Sequence, residues 1–378
     1  MSPNNLPFEK RCPVDVLYLI VSEYADRNSI HALYATCRYI SVVTASVLFR
    51  RLAIVYRYGN EEEEELNPIQ SHDRTRFVRS LLFAIDPRLC GVEVLAKCIP
   101  VIQSMHNLQK LKLWFSYSDG ETEIRICHTI LENLARHAPF KLISFASDIS
   151  LPPYNFLLSQ PSIRHLSLPT AAHNMSCENL FTPQHLPSLS SIDGSSLLIQ
   201  WLACGRPIRD ASINVSMSRT QIIAFLHAVS HYQQLAIERL SIRVSKVTRG
   251  PFPVALRTVR FLRASQAVSP RPHVWSSYLR WFPCVEHILL IVPYLDWNDY
   301  AGFDLVEGLP VGQGISLRRV VLVVSGGAYS GWYDFVRGPG NEAVWEYVER
   351  GDDPYKYPRF SVGYRDSVMV DGEDVFSV

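Results

Sequence analysis

Short hydrophobic runs with a fixed internal spacing recur along most of this chain. From Val78 to Leu322 the order is apolar, two residues, apolar, one residue, apolar. Ten copies begin at Val78, Leu108, Phe140, Ile163, Leu189, Ile208, Ile237, Leu256, Val285 and Leu317. Their mean period of about 27 residues is typical of stacked repeats, in which each unit buries its apolar face against its neighbours.

Helix-period segments at 92–105, 123–137, 219–233 and 274–282 each precede one of these runs. Alternation of helix-period and strand-period segments predicts an αβ solenoid. The third copy is Phe140-x-x-Ile143-x-Phe145 and the eighth is Leu256-x-x-Val259-x-Phe261. The spacing of the apolar positions resembles a leucine-rich repeat. The repeat is degenerate, because the asparagine that this family carries after the third apolar position is missing.

The first fifty residues carry a different, purely helical periodicity. Pro13 suits a first helical position, and Asn28 or Ser29 can cap a second helix. Apolar residues three and four apart mark one face of each helix: Leu17, Ile20, Val21 and Tyr24, then Ile30, Leu33 and Cys37, then Val43 and Val47. We therefore expect three short amphipathic helices.

The spacing from Cys12-Pro13-Val14 through Cys37-Arg38 to Leu48-Phe49 resembles an F-box. The resemblance implies docking onto the Skp-type adaptor of cullin ubiquitin ligases. It also implies which side chains contact that adaptor: Pro13, Val14, Leu17, Ile20, Ile30, Leu33 and Cys37.

These patterns predict an α/β protein with five segments: an N-terminal tail at 1–10, an F-box-like helical domain at 11–55, an acidic linker at 56–75, a leucine-rich-repeat-like solenoid at 76–325 and a C-terminal cap at 326–378. The linker contains five consecutive glutamates, Glu61 to Glu65, which repel one another and favour a solvated segment. In the cap, 341–349 suggests a helix capped by Asn341, and 359–364 alternates like an edge strand.

The charges nearly cancel, with 37 Lys and Arg against 36 Asp and Glu. This balance argues against binding of nucleic acid or membranes through bulk charge. None of the eight cysteines forms a Cys-x-x-Cys pair, so we expect reduced core residues in an intracellular protein, cytoplasmic or nuclear.

No arrangement of residues predicts an enzyme, a cofactor or a metal. His227 and His231 lie four apart on a predicted helix, but Ala228 replaces the glutamate of a zinc-protease motif. Gly327-Ala328-Tyr329-Ser330-Gly331 lacks the spacing of a nucleophile elbow.

Side chains that flank the central apolar position of each run point away from the core. In a leucine-rich horseshoe they line the concave face, where that family often binds partners. The candidates for target binding are Lys110, Lys112, His165, Arg239, Arg260, His287 and Arg319, opposed by Asp193 and Asp210. A face with this positive bias suits an acidic or phosphorylated segment of a target protein.

Together these features predict a non-catalytic substrate receptor of a Skp–cullin–F-box ubiquitin ligase, with the adaptor and cullin complex at one end and a protein target at the other. A repeat scaffold that works outside any ligase is the alternative, and an enzyme with an unrecognised site is a third class.

Overall fold

The structure is a computed structural model, and it describes residues 13–56, 72–85, 92–115, 121–149, 153–169, 181–203, 205–231, 237–244, 255–266, 279–292, 317–324, 331–337 and 345–348. Two compact units divide the chain. Unit 1 comprises Met1–Ile149 and Pro153–Ile163, and unit 2 comprises Ser150–Pro152 and Arg164–Val378.

Three helices open unit 1: α1 (Val14–Tyr24), α2 (Arg27–Tyr34) and α3 (Arg38–Leu48). Their core is formed by Leu17, Val21 and Val43, which are at most 6% exposed. Partly buried apolar side chains pack around this core: Tyr18, Ile30, Leu33, Tyr39, Ile40 and Val47.

The ends of these helices differ from the predicted ones. Pro13 is the N-cap of α1 and not its first helical residue. Asp26 caps α2 in place of Asn28 or Ser29, because its carboxylate accepts a hydrogen bond of 2.7 Å from the Ser29 N–H. This bond lowers the pKa of the Asp26 carboxyl. Cys37 lies outside α2 and is the N-cap of α3, with extended backbone.

The sheet of unit 1 begins earlier than the first predicted repeat. Its described strands are β1 (Arg51–Tyr56), β2 (Ser80–Ile85), β3 (Lys110–Phe115) and β4 (Ser144–Ser147), parallel and in chain order. The helices of this part are α4 (His72–Thr75), α5 (Val92–Gln103), α6 (Glu121–His137) and α7 (Tyr154–Ser159).

Aromatic contacts join the three helices to the start of this sheet. The guanidinium of Arg74, in α4, lies 5.3 Å from the ring centroid of Phe49 and 5.9 Å from that of Tyr34. The two rings meet edge to face at 5.9 Å. Arg50 donates to the Tyr18 hydroxyl at 3.4 Å. The helices and the first strands of unit 1 are therefore packed together.

The described residues of unit 2 form seven parallel strands in chain order: β5 (His165–Leu168), β6 (Ser191–Gly194), β7 (Asp210–Met217), β8 (Arg239–Val244), β9 (Phe261–Gln266), β10 (His287–Val292) and β11 (Arg319–Val324). Its described helices of at least eight residues are α8 (Ser196–Ala203) and α9 (Arg219–His231). Two antiparallel strands follow β11: β12 (Gly331–Arg337) and β13 (Trp345–Val348).

Strands occur at all ten predicted repeats, which confirms an α/β architecture of the leucine-rich-repeat-like solenoid type. A recurring backbone bond holds successive repeats together. The carbonyl of the residue before one strand accepts hydrogen bonds from two successive N–H groups of the next repeat. The Arg209 carbonyl, for example, accepts from Glu238 at 2.8 Å and from Arg239 at 3.0 Å. These bonds satisfy backbone groups at the start of each strand.

The register is wrong in two of the predicted copies. In β4, Phe145 pairs with Leu111, so Phe145 and not Ile143 occupies the central apolar position. In β9, Leu262 pairs with Leu240, which moves Phe261 from the core to the opposite face. Both stretches are apolar enough for two registers, and pairing with the neighbouring strand selects one of them.

The C-terminal part also differs from its prediction. Trp345–Val348 is a strand and not part of a helix, and it pairs antiparallel with β12. Aromatic and β-branched residues fit a pleated sheet, and a paired edge outweighs the weak helix signal of Asn341. The predicted acidic run at 61–65 and the edge strand at 359–364 lie outside the described residues.

Candidate functional site

Helix α1 presents apolar side chains on the side opposite its buried face. Val16, Leu19 and Ile20 are 47%, 55% and 47% exposed. Their spacing of three and four residues gathers them into one stripe, while Leu17 and Val21 point into the core. A helix with a second apolar face is typical of a surface that another protein covers. We call Val16, Leu19 and Ile20 the outer stripe of α1.

The predicted adaptor-binding residues separate into two groups. Pro13, Val14, Ile20 and Cys37 are exposed. Leu17 is buried in the helical core, and Ile30 and Leu33 are partly buried against it. These last three residues hold the helices together. On the surface of α1, Ile20 is joined by Val16 and Leu19, which periodicity assigned to no face.

A row of side chains crosses unit 2 on the face of the sheet opposite the core. Its members occupy paired positions on successive strands, and we call them the cross-strand row: His165, Ser191, Asp210, Arg239, Phe261, His287 and Arg319. Four of the predicted target-binding residues, His165, Arg239, His287 and Arg319, are brought together in this row.

The centre of the cross-strand row is a chain of direct contacts. Arg239 Nε lies 3.7 Å from Asp210 Oδ1. On its other side, the Arg239 guanidinium lies 5.8 Å from the Phe261 ring centroid. The rings of Phe261 and His287 stack with centroids 5.0 Å apart and planes 5° from parallel. Cation–π and stacking contacts fix these side chains against one another.

Arg260 is not part of this row. It precedes β9, lies 3.8 Å from Glu286 through its Nη1 and the Glu286 Oε1, and its side chain is 62% exposed. The shifted register of β9 explains the difference, since it puts Phe261 where the sequence placed Arg260. Phe261 is the functional candidate that periodicity missed, because an aromatic residue in an apolar run is read as core.

A second row, two residues further along each strand, begins with buried polar side chains and ends on β10 and β11 with Leu289 and Val321, which belong to a separate buried apolar cluster. The Ser167 hydroxyl donates to Asp193 Oδ2 at 2.8 Å, and both Asp193 and Ser212 are buried. In the first row, burial raises the pKa of the Asp210 carboxyl, while Arg239 acts in the opposite direction. The predicted acidic residues Asp193 and Asp210 are thus on the same face as the arginines.

Lys110 and Lys112 belong to unit 1, on the outer face of β3. The Lys112 ammonium lies 5.0 Å from the centroid of the Trp114 ring. Burial lowers the pKa of Lys112. Burial raises the pKa of Asp148, although its carboxylate accepts a hydrogen bond of 2.7 Å from the Phe115 N–H.

Within the described ranges, no cluster of three or more His, Cys, Asp or Glu side chains is arranged to hold a metal ion. No disulfide joins the four described cysteines, of which Cys98 and Cys127 are buried as expected, whereas Cys37 and Cys284 are exposed. Among the helices that the structure describes, none has both the length and the apolar character needed to cross a bilayer.

No protein-family model matches the sequence. No curated protein matches it either. One similar solved structure is the crystal structure of a TLR13–ssRNA13 complex, with 14% sequence identity and a TM-score of 0.34. The match covers 74% of this chain and 36% of the other. The assignment of the fold therefore rests on the strand order and register described above.

Proposed function

We propose that this protein is a non-catalytic substrate receptor of a cullin-type ubiquitin ligase. Helices α1 to α3 dock onto a Skp-type adaptor, and the outer face of the repeat sheet binds a target protein. The observation that carries this proposal is the outer stripe of α1, because a soluble helix rarely exposes three large apolar side chains side by side without a partner.

The mechanism is positioning. The chain forms and breaks no covalent bond, and it raises the effective concentration of target lysines near the ubiquitin-charged enzyme on the cullin scaffold. Packing of Arg74 against the rings of Tyr34 and Phe49 supports this role, since it ties the adaptor-binding helices to the first strands of the same unit.

Adaptor titration by calorimetry tests the proposal. The double variant Leu19→Asp with Ile20→Asp removes two apolar contacts of about 1.5 kcal/mol each and introduces carboxylates into the interface. We expect binding to weaken at least about 100-fold, which corresponds to about 2.7 kcal/mol.

Leu158→Asp is the matched control, because Leu158 in α7 is 40% exposed and lies outside the three helices. It should bind the adaptor like the wild type. Leu17 is unsuitable for this test, since a charge at its buried position disrupts the helical core itself. Absence of binding by the wild-type protein refutes the ligase proposal and favours the alternative, a repeat scaffold that acts outside any ligase.

A further inference from the structure

We infer that the cross-strand row of unit 2 binds an extended peptide with two carboxylates four residues apart and a flat or apolar side chain midway between them. The inference rests on the proposed function, and it specifies the chemistry of the target at the target-binding face. Its anchors are Arg239 and Arg319, with the stacked rings of Phe261 and His287 between them.

The spacing of the two arginines sets the spacing of the carboxylates. Arg239 is on β8 and Arg319 is on β11, so three strand-to-strand intervals separate them. At about 4.8 Å per interval the separation is about 14 Å. An extended peptide rises about 3.4 Å per residue, so four residues cover the same distance. Residues four apart also point to the same side of an extended chain, toward the row.

The middle of the row suits a planar or apolar side chain. Phe261 and His287 stack within 5° of parallel, so their faces contact each other and their edges line the row between the arginines. A side chain two residues from each carboxylate points to the same side and lands on these edges. An aromatic or branched apolar residue there gains edge-to-face or dispersion contacts with the ring edges that a small polar residue does not.

Acidic side chains at one end of the row restrict the register of the peptide. Asp210 lies beside Arg239, and Asp193 lies on the next strand away from the arginines. A third carboxylate beyond Arg239 would meet these groups and be repelled. The Asp210–Arg239 ion pair is partly exposed and 3.7 Å long, so it leaves guanidinium donors for a carboxylate of the peptide.

The same charges favour a carboxylate peptide over nucleic acid or a phosphopeptide. A nucleic-acid backbone carries a phosphate at every nucleotide, so one that contacts Arg239 would also bring phosphates beside Asp210 and Asp193. A phosphopeptide can also pair with an arginine fork, but Asp210 repels its two phosphate charges more strongly than the one charge of a carboxylate. An arginine fork is well matched to one carboxylate.

Fluorescence polarisation with the full-length protein and labelled nine-residue peptides tests this inference. The probe contains Glu-Ser-Phe-Ser-Glu between Gly and Ser flanks. Two probes of the same composition place the glutamates two and three residues apart, and another has Ser in place of Phe. We expect each of these three to bind at least fivefold more weakly than the first.

Arg239→Glu combined with Arg319→Glu should weaken binding of the first probe at least tenfold. Arg257→Glu is the control, because it makes half of that charge change at an exposed position before β9 and should leave affinity within twofold. Equal affinity for all glutamate spacings, or equal loss in the control, overturns the inference. So does tighter binding of a phosphoserine version of the probe or of a nine-nucleotide single-stranded RNA.

Adaptor binding, measured in the same preparations, separates the two proposals. If the adaptor binds and the spaced probe does not, the inference on the cross-strand row fails and the ligase proposal stands. If the spaced probe binds with the expected pattern and the adaptor does not, the peptide site stands and the ligase proposal fails.

Discussion

The guanidinium group of Arg206 lies inside unit 2 and provides a direct test of what stabilises this part of the chain. The residue is 2% exposed. Its Nε donates to the His185 carbonyl at 2.8 Å, Nη1 donates to the Leu202 carbonyl at 2.8 Å, and Nη2 donates to the Thr182 carbonyl at 2.5 Å. One side chain thus joins the segment before β6 to the end of α8.

Replacing Arg206 with Met keeps much of the side-chain volume and removes all three donors. Hydrogen bonds from a charged donor contribute about 1.5–3 kcal/mol each, and each buried carbonyl left without a donor costs about 1–3 kcal/mol. Relief of the desolvation of a buried charge offsets part of this loss. We expect the free energy of opening of unit 2 to fall by about 4 kcal/mol.

Native-state hydrogen exchange measures this change without assuming that the two units unfold together. Amides of β7 should lose protection in Arg206→Met, while amides of β2 in unit 1 serve as the internal reference. The exposed Arg257→Met is the control and should change protection by less than about 0.5 kcal/mol. A loss below about 1 kcal/mol in β7, or an equal loss in both units, would refute the reasoning.

Three further predictions concern other sites. In Asp148→Asn the amide oxygen still accepts from Phe115, and the pH-dependent cost of burying a carboxylate disappears. The folded-state pKa of Asp148 is raised, so its stabilising contribution is complete below its unfolded value of 3.8 and is lost as pH rises through the folded pKa. As pH rises from 3.8 through the folded pKa, Asp148→Asn should gain free energy of unfolding relative to wild type, measured by urea unfolding at pH 3 to 8. A difference between the two proteins that does not change with pH would contradict this. Gly205→Ala should lower the melting temperature of unit 2, because φ is +69° and the new Cβ would lie 2.8 Å from Pro183 Cβ; an unchanged melting temperature would show that the turn relaxes freely. Arg74→Ala should cost about 1–2 kcal/mol by loss of two cation–π contacts, seen as faster exchange in α3, and the exposed Arg136→Ala should have no such effect.

Local periodicity was sufficient to predict the buried face of a strand or helix wherever its apolar residues fit only one face. The run Ile237, Leu240 and Ile242 fits the sheet in one way, and all three residues are at most 2% exposed. The helices at Val92–Gln103 and Glu121–His137 agree with the predicted segments for the same reason. The candidates Arg239 and His287 could be placed on one face from alternation alone.

Where an element has more apolar residues than one face can hold, the sequence did not show which of them are buried and which are exposed. Helix α1 is apolar on two sides, and only packing against α3 decided that Val21 is core and Ile20 is surface. The same excess surrounds Phe261, and pairing of Leu262 with Leu240 turned it outward.

The sequence by itself thus determined the repeating strands, the helices between them and the three N-terminal helices, because these depend on spacing within short segments. The tertiary structure decided which apolar side chains remain on the surface and which polar ones meet. The stack of Arg239, Phe261 and His287 depends on register between strands more than twenty residues apart in the chain, and register is a property of paired strands that no single strand encodes.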